Sequence, residues 1–129
     1  MQISRATEYA LLGLACLSRD SQRFISTREI AQVEKISLYF LRNVFRKLRS
    51  DKIVTSTRGG GYRLAKPANQ ISLREIVEAV EGKVCLHECL AKKRPRCRHS
   101  ADCKILAKWS AVQKNFLREL DKIKLAELI

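Results

Sequence analysis

The sequence predicts a mainly α-helical fold that carries one small β-hairpin, and three observations predict it. Two short stretches in tandem each open on a serine placed as a helix cap. A β-branched run, a glycine turn and a second short run follow them, and from Lys104 onward apolar residues recur at steps of three or four with no glycine or proline. Serine caps and a 3.6-residue apolar period mark helices, whereas β-branched runs around glycine mark strands.

Taken in order, Ile3, Ala6, Ala10, Leu14 and Leu17, widened by Leu11, Leu12 and Cys16, define a mostly buried first helix over residues 3–19. Cys16 reads as core, since a buried free thiol behaves as a small hydrophobe. Ser26 followed by Glu29 forms a capping box before Ile30, Ala31 and Val33, opening a short second helix that ends near Lys35. Ser37 caps a third helix. On it Phe40, Leu41, Val44, Phe45 and Leu48 make an apolar stripe, while Tyr39, Arg42, Asn43, Arg46 and Arg49 fall on the other face.

Residues 53–57, then Arg58-Gly59-Gly60-Gly61, then Tyr62, Arg63 and Leu64 read as strand, turn and strand. Ser72 with Glu75 forms a second capping box and opens a helix through Ile76, Val77 and Val80 to Gly82. The final helix carries Ile105, Trp109, Val112, Phe116, Leu120 and Ile123 on one stripe. Such a stripe calls for cover by the first helix and by the same helix of a second copy, so a two-fold dimer is expected.

Two short helices in tandem followed by a hairpin form the winged helix-turn-helix arrangement, whose second helix enters the major groove of DNA. Ser37, Tyr39, Arg42, Asn43 and Arg46 are placed to contact DNA there, and Arg58 on the glycine wing to reach phosphates or the minor groove. Arginine pairs with guanine edges and asparagine with adenine. Exposed stacking aromatics are limited to Tyr39 and Tyr62, which favours DNA over RNA.

Totals agree with that reading. The chain has 129 residues, 46% of them hydrophobic, enough for one compact unit with its own core. It divides into a winged DNA-binding part, 1–66, and a region at 67–129 holding a cysteine loop and the dimerisation helix. Lysine and arginine outnumber aspartate and glutamate by 26 to 13, which points to a polyanionic partner. Residues 1–66 carry net +8 and residues 67–129 net +5, so the front half is the expected nucleic-acid binder. The longest apolar run spans nine residues, 9–17, against the ~20 needed to cross a bilayer, and no cleavage pattern follows it. A soluble, cytoplasmic protein is expected.

Cys85, Cys89, Cys97 and Cys103 crowd into nineteen residues beside Lys92, Lys93, Arg94, Arg96 and Arg98. Thiolates are ligands of soft metals and iron–sulfur clusters, and neighbouring cations favour the ionised sulfur. The spacing is not that of paired Cys-x-x-Cys zinc knuckles, but zinc with cysteines alone or with His87 or His99 stays open, as does a cofactor-free thiol or partner-controlled switch. No phosphate-cradling loop or nucleophile–base pair points to an enzyme.

The segments ISRATEYALLGL (3–14), ISLYFLRNVFRKLRSDKIV (36–54), RGGGYRLAK (58–66) and ISLREIVEAVEG (71–82), with the cysteine loop before a tryptophan-containing helix, resemble the Rrf2 family of bacterial transcription regulators, the group of IscR, NsrR and RirA. The likeness runs nearly end to end. It implies a homodimer on a palindromic operator, a repressor whose affinity is set by a 2Fe-2S or 4Fe-4S cluster sensing iron, redox state or nitric oxide. It also implies Cys89, Cys97 and Cys103 as cluster ligands, with Cys85 an extra thiol. Some members take a fourth ligand from a histidine one turn after the last cysteine; here that position is Leu106. Others take an acidic residue from the partner's first helix, where this chain has Glu8, with Cys85, His87 and His99 as alternatives. Two departures stand out: the wing is two residues shorter than the usual hairpin, and Arg42 replaces an acidic residue of the reading helix.

Overall fold

A computed structural model describes residues 2–91 and 103–129. Among these residues, five α-helices, a three-stranded sheet and short 3-10 turns are arranged around one main core. Helix α1 spans Arg5–Ser18 and starts at Ser4, whose side chain accepts from the Ala6 N–H. Ile3 therefore precedes the helix and is exposed, rather than opening its buried stripe. Helix α1 crosses α3 (Leu38–Ser50) closely at Gly13, where a Cβ would lie 2.6 Å from the Phe45 ring.

Between them lie strand β1 (Ile25–Ser26) and helix α2 (Thr27–Glu34). Half of the expected capping box forms: the Ser26 hydroxyl accepts from the Glu29 N–H at 3.1 Å, but the Glu29 carboxylate turns to Arg23. Val33 is exposed, so Ile30 and Ala31 alone anchor α2 in the core. Lys35 takes the left-handed conformation that ends α2, and Ile36 leads to Ser37, whose hydroxyl accepts from the Phe40 N–H at 3.3 Å. Leu41, Val44, Phe45 and Leu48 are buried as the stripe predicts, whereas Phe40 stays partly exposed, edge-on to Tyr9.

Strands β2 (Val54–Ser56) and β3 (Gly61–Leu64) form the hairpin in antiparallel register, Val54 opposite Leu64 and Ser56 opposite Tyr62. Gly60, at φ +85°, supplies the left-handed residue of its turn. An unforeseen third strand completes the sheet: β1 pairs β3, Ile25 opposite Tyr62, giving the order β1-β3-β2. Two residues are too few for a periodic signal, and their pairing depends on a strand some 36 positions away.

Helix α4 (Leu73–Glu81) carries the complete capping box of Ser72 and Glu75, and Glu75 also holds Lys66 at 2.6 Å. Helix α5 spans Lys104–Lys122. Ile123 does not extend it; the backbone turns extended there and returns beside residues 71–73, with Leu73 N–H to Ile123 O and Leu125 N–H to Ile71 O both 2.8 Å. Leu125 ends fully buried. Within the chain α5 packs on α4 rather than on α1, and Val77, Val84 and Leu120 form a second small core between them. The main core runs from Ala10 through Val80 to Leu125. Among the described residues no helix is long and apolar enough to cross a membrane.

Candidate nucleic-acid interface and cysteine segment

Helix α3 presents Tyr39, Arg42, Asn43 and Arg46 at positions i, i+3, i+4 and i+7, which places them on one side of the helix. Tyr39 is 77% exposed, Arg42 and Arg46 are exposed, and Asn43 is half-buried. Ser37 sits at the helix start, and Arg58 on the tip of the hairpin. Arg19, Arg23, Lys66, Arg74 and Lys122 each engage a carboxylate, whereas among the described residues Arg42, Arg46 and Arg58 have no such partner. Other described cations, Arg5, Arg28 and Lys35 among them, also lack a carboxylate; what marks this face is the grouping of its cations on one side of a helix. Unneutralised cations on a helix narrow enough for a major groove suit a phosphate-rich duplex. Arg49, expected on the same face, donates to the Ser56 hydroxyl at 3.4 Å and braces the helix against β2. Arg63 lies over the Phe24 ring at 4.4 Å, stiffening the base of the wing.

The cysteine segment leaves α4 at Gly82. Val84 anchors it in the second core, and the Leu86 N–H donates to Gln113 Oε1 at 2.9 Å. The His87 ring stacks on Trp109 at 5.9 Å and 8°, and its Nδ1 accepts from the Cys89 N–H at 3.2 Å. Cys85 is exposed, its thiol donating to the His87 carbonyl at 3.0 Å. Cys89 is half-buried.

Cys103, also half-buried, caps α5 and accepts from the Leu106 N–H at 3.4 Å, so its sulfur faces the positive end of the helix dipole. Cys97 and His99 lie outside the described residues, as do Lys92, Lys93, Arg94, Arg96 and Arg98. Glu8 is exposed on α1, beside an open groove lined by Ile3, Leu11, Leu12, Ala15 and Leu128. The described residues of one chain gather no group of three metal-ligating side chains. Still, Cys89 and Cys103 are in kind the soft sulfur donors that hold iron–sulfur clusters. Cys16 is core, as its spacing predicts, and burial pushes its thiol up.

Sequence reasoning missed one arrangement. Glu81 Oε1, at the end of α4, accepts from Ser4 N–H (2.8 Å), Ser4 Oγ (2.6 Å) and Thr7 Oγ1 (2.7 Å). Some desolvation works against the exposed carboxylate, but the Ser4 and Thr7 hydrogen bonds, helped by the Lys47 charge, outweigh it and hold the group below its ordinary range. Partners 74 and 77 positions apart leave no local pattern to read.

A capped helix pair with a cationic outer face, backed by a three-stranded sheet whose hairpin forms a wing, defines a winged helix-turn-helix protein. The Rrf2 profile, described as an iron-dependent transcriptional regulator, matches residues 3–129, and the chain belongs to that family: a DNA-binding transcriptional regulator, not an enzyme. It is 31% identical to the HTH-type transcriptional regulator NsrR of Oceanobacillus iheyensis over 132 aligned positions, covering all of this chain and 90% of that protein. To IscR of Cronobacter sakazakii it is 30% identical, covering 100% and 80%. The fold matches CymR, the global cysteine regulator of B. subtilis, with a TM-score of 0.71 over 99% of this chain and 95% of that one, at 23% identity.

Proposed function

We propose that the chain is a cytoplasmic homodimeric repressor that binds a palindromic operator, with affinity set by an iron–sulfur cluster on Cys89, Cys97 and Cys103 and on Glu8 of the second copy. Residues 1–66 form the DNA-binding half and 67–129 the sensor and dimerisation half, joined through the common core. The observation that carries the DNA half is the unpaired cationic face of α3 and the wing. Ser37, Tyr39, Arg42, Asn43, Arg46 and Arg58 contact the duplex, and affinity falls with salt as phosphate counterions are released.

Support for the dimer comes from α5, whose Ile105, Trp109 and Val112 remain 67%, 39% and 49% exposed along one stripe. A cluster would supply a centre sensitive to iron supply, oxidants or nitric oxide. When Cys89 and Cys103 are released, segment 83–91 is free to move against α5, α5 shifts against α4, and the spacing of the two α3 helices changes. Likeness to NsrR and IscR and the iron-dependent description of the family favour this reading. The exposed thiol of Cys85 and the half-buried ones of Cys89 and Cys103 favour a second one, a thiol switch without a cofactor.

Oxygen-free purification with absorption spectra and iron and sulfide analysis separates the two readings. A brown, iron-containing protein is expected; a colourless protein without iron after reconstitution would exclude the cluster, and bound zinc would replace it. Gel shifts on a duplex selected from random-sequence DNA then compare reconstituted wild type with Cys97→Ser. Equal binding by both would remove the sensor role.

A further inference from the structure

We infer that Glu81 is a positioning residue: it fixes the start of α1 to the exit of α4, next to the Val80 carbonyl that holds Lys47 of the DNA-contacting helix α3, and so sets how the cysteine segment is joined to both. Within five residues the end of α4 touches each of these parts. The Val80 carbonyl accepts from Lys47 Nζ of α3 at 3.3 Å. Glu81 takes its three hydrogen bonds from Ser4 and Thr7 at the start of α1, the second of them next to Glu8. Gly82, at φ +88°, then releases the chain into Lys83 and Val84, and two residues later Leu86 is fixed to Gln113 of α5.

The chemistry suits a link more than a stability device. A carboxylate that receives three donors on one oxygen is directional, because charge-assisted hydrogen bonds are short and lose strength steeply when misaligned. Helices α1 and α4 are already joined by apolar packing: Ala10, Leu14, Ile76 and Val80 share the main core. Glu81 itself is exposed, so it adds little burial. Its contribution is to fix where the first turn of α1 sits relative to the exit of α4. Ser4 doubles the constraint, since its hydroxyl donates to Glu81 while accepting from the Ala6 N–H. With both capping-box bonds formed at its other end, α4 moves as one body, and a displacement of residues 83–86 reaches Lys47 and Ser4 through Val80 and Glu81.

This link rests on the reading of α3 as the DNA-contacting helix, and not on what the cysteine segment holds. Linkage is reciprocal, so DNA on α3 must change the cysteine segment. The test is the alkylation rate of Cys85 and Cys89, resolved by mass spectrometry, in the full-length apo protein with and without the selected duplex. In wild type the duplex is expected to change these rates by about fivefold or more, the lower end of ordinary coupling. Glu81→Ala is expected to bring the ratio to within about twofold of one while still binding the duplex. Glu81→Gln, which keeps an acceptor oxygen, falls between.

Thr7→Val, nearly isosteric, removes one donor from the opposite side and is expected to weaken the ratio in the same direction. It decides the matter should Glu81→Ala fail to fold. Wild-type rates indifferent to the duplex would overturn the link, as would full coupling in both variants. A protein without iron that still shows the coupling would overturn the cluster proposal and leave the link standing.

Discussion

The α3 face and the cysteine segment are held by different forces. Helix α3 rests on four buried apolar side chains, Leu41, Val44, Phe45 and Leu48, with Phe45 wedged between Gly13 of α1 and Tyr62 of the sheet. Segment 83–91 has one fully seated anchor, Val84, and otherwise relies on a hydrogen bond from Leu86 and a stack of His87 on Trp109. Apolar burial is non-directional and large in sum, so it makes a rigid platform. Single polar and aromatic contacts are worth about a kilocalorie per mole each and can be exchanged, which is what a controlling segment needs.

The largest effect is expected for Phe45→Ala, which removes a fully buried ring at the α1–α3 crossing. A loss of about 3–5 kcal/mol should show in urea melts and abolish duplex binding together with the fold. Arg42→Ala sharpens the contrast from the other side. It should lower affinity for the selected duplex by about 1–3 kcal/mol, roughly five- to 150-fold, with the thermal midpoint unchanged, because the side chain is exposed and has no carboxylate partner. A drop in thermal midpoint matching that of Phe45→Ala would mean that the face is structural.

His87→Ala probes the segment. Loss of the stack should alter the emission of Trp109, the single tryptophan, while costing about 0.5–1 kcal/mol in the same melts. A cost approaching that of Phe45→Ala would erase the distinction between platform and segment.

The smallest effect expected is that of acid. Glu75 and Glu81 both lie below the ordinary value of 4.5: desolvation opposes this in each, but the Lys66 and Ser72 hydrogen bonds at Glu75, and those of Ser4 and Thr7 at Glu81, prevail. The unfolded chain therefore takes up protons first as pH falls. The stabilisation is fully present above the unfolded value and is lost as pH drops through the lower folded values. Urea midpoints should fall between neutral pH and about pH 3, and Glu81→Gln should flatten that slope.

Much of the fold was legible because its signals are short. Ser37, Ser72 with Glu75, the glycines at 59–61 and the stripe of α3 each act over a few residues, and each formed as read except that Phe40 of the stripe stays exposed. Misreadings fell where a distant partner competed. Glu29 found Arg23 instead of closing its box, Ile123 paired with residues 71–73 instead of extending α5, and α5 chose α4 over α1. On α3 the exposure of Tyr39, Arg42 and Arg46 on one side was readable from helical spacing, whereas nothing local announced Glu81 or the Gln113 anchor.

By itself the sequence determined where helices start, which faces are apolar, that the hairpin turns on glycine, and that net positive charge is greater over residues 1–66. These follow from capping, periodicity and backbone freedom, which operate within one or two turns of chain. Only the tertiary structure decided that β1 joins the wing, that α4 carries α5, and that Ser4 and Thr7 meet Glu81. Those pairings bring together residues dozens of positions apart, and the core must be packed before any of them exists.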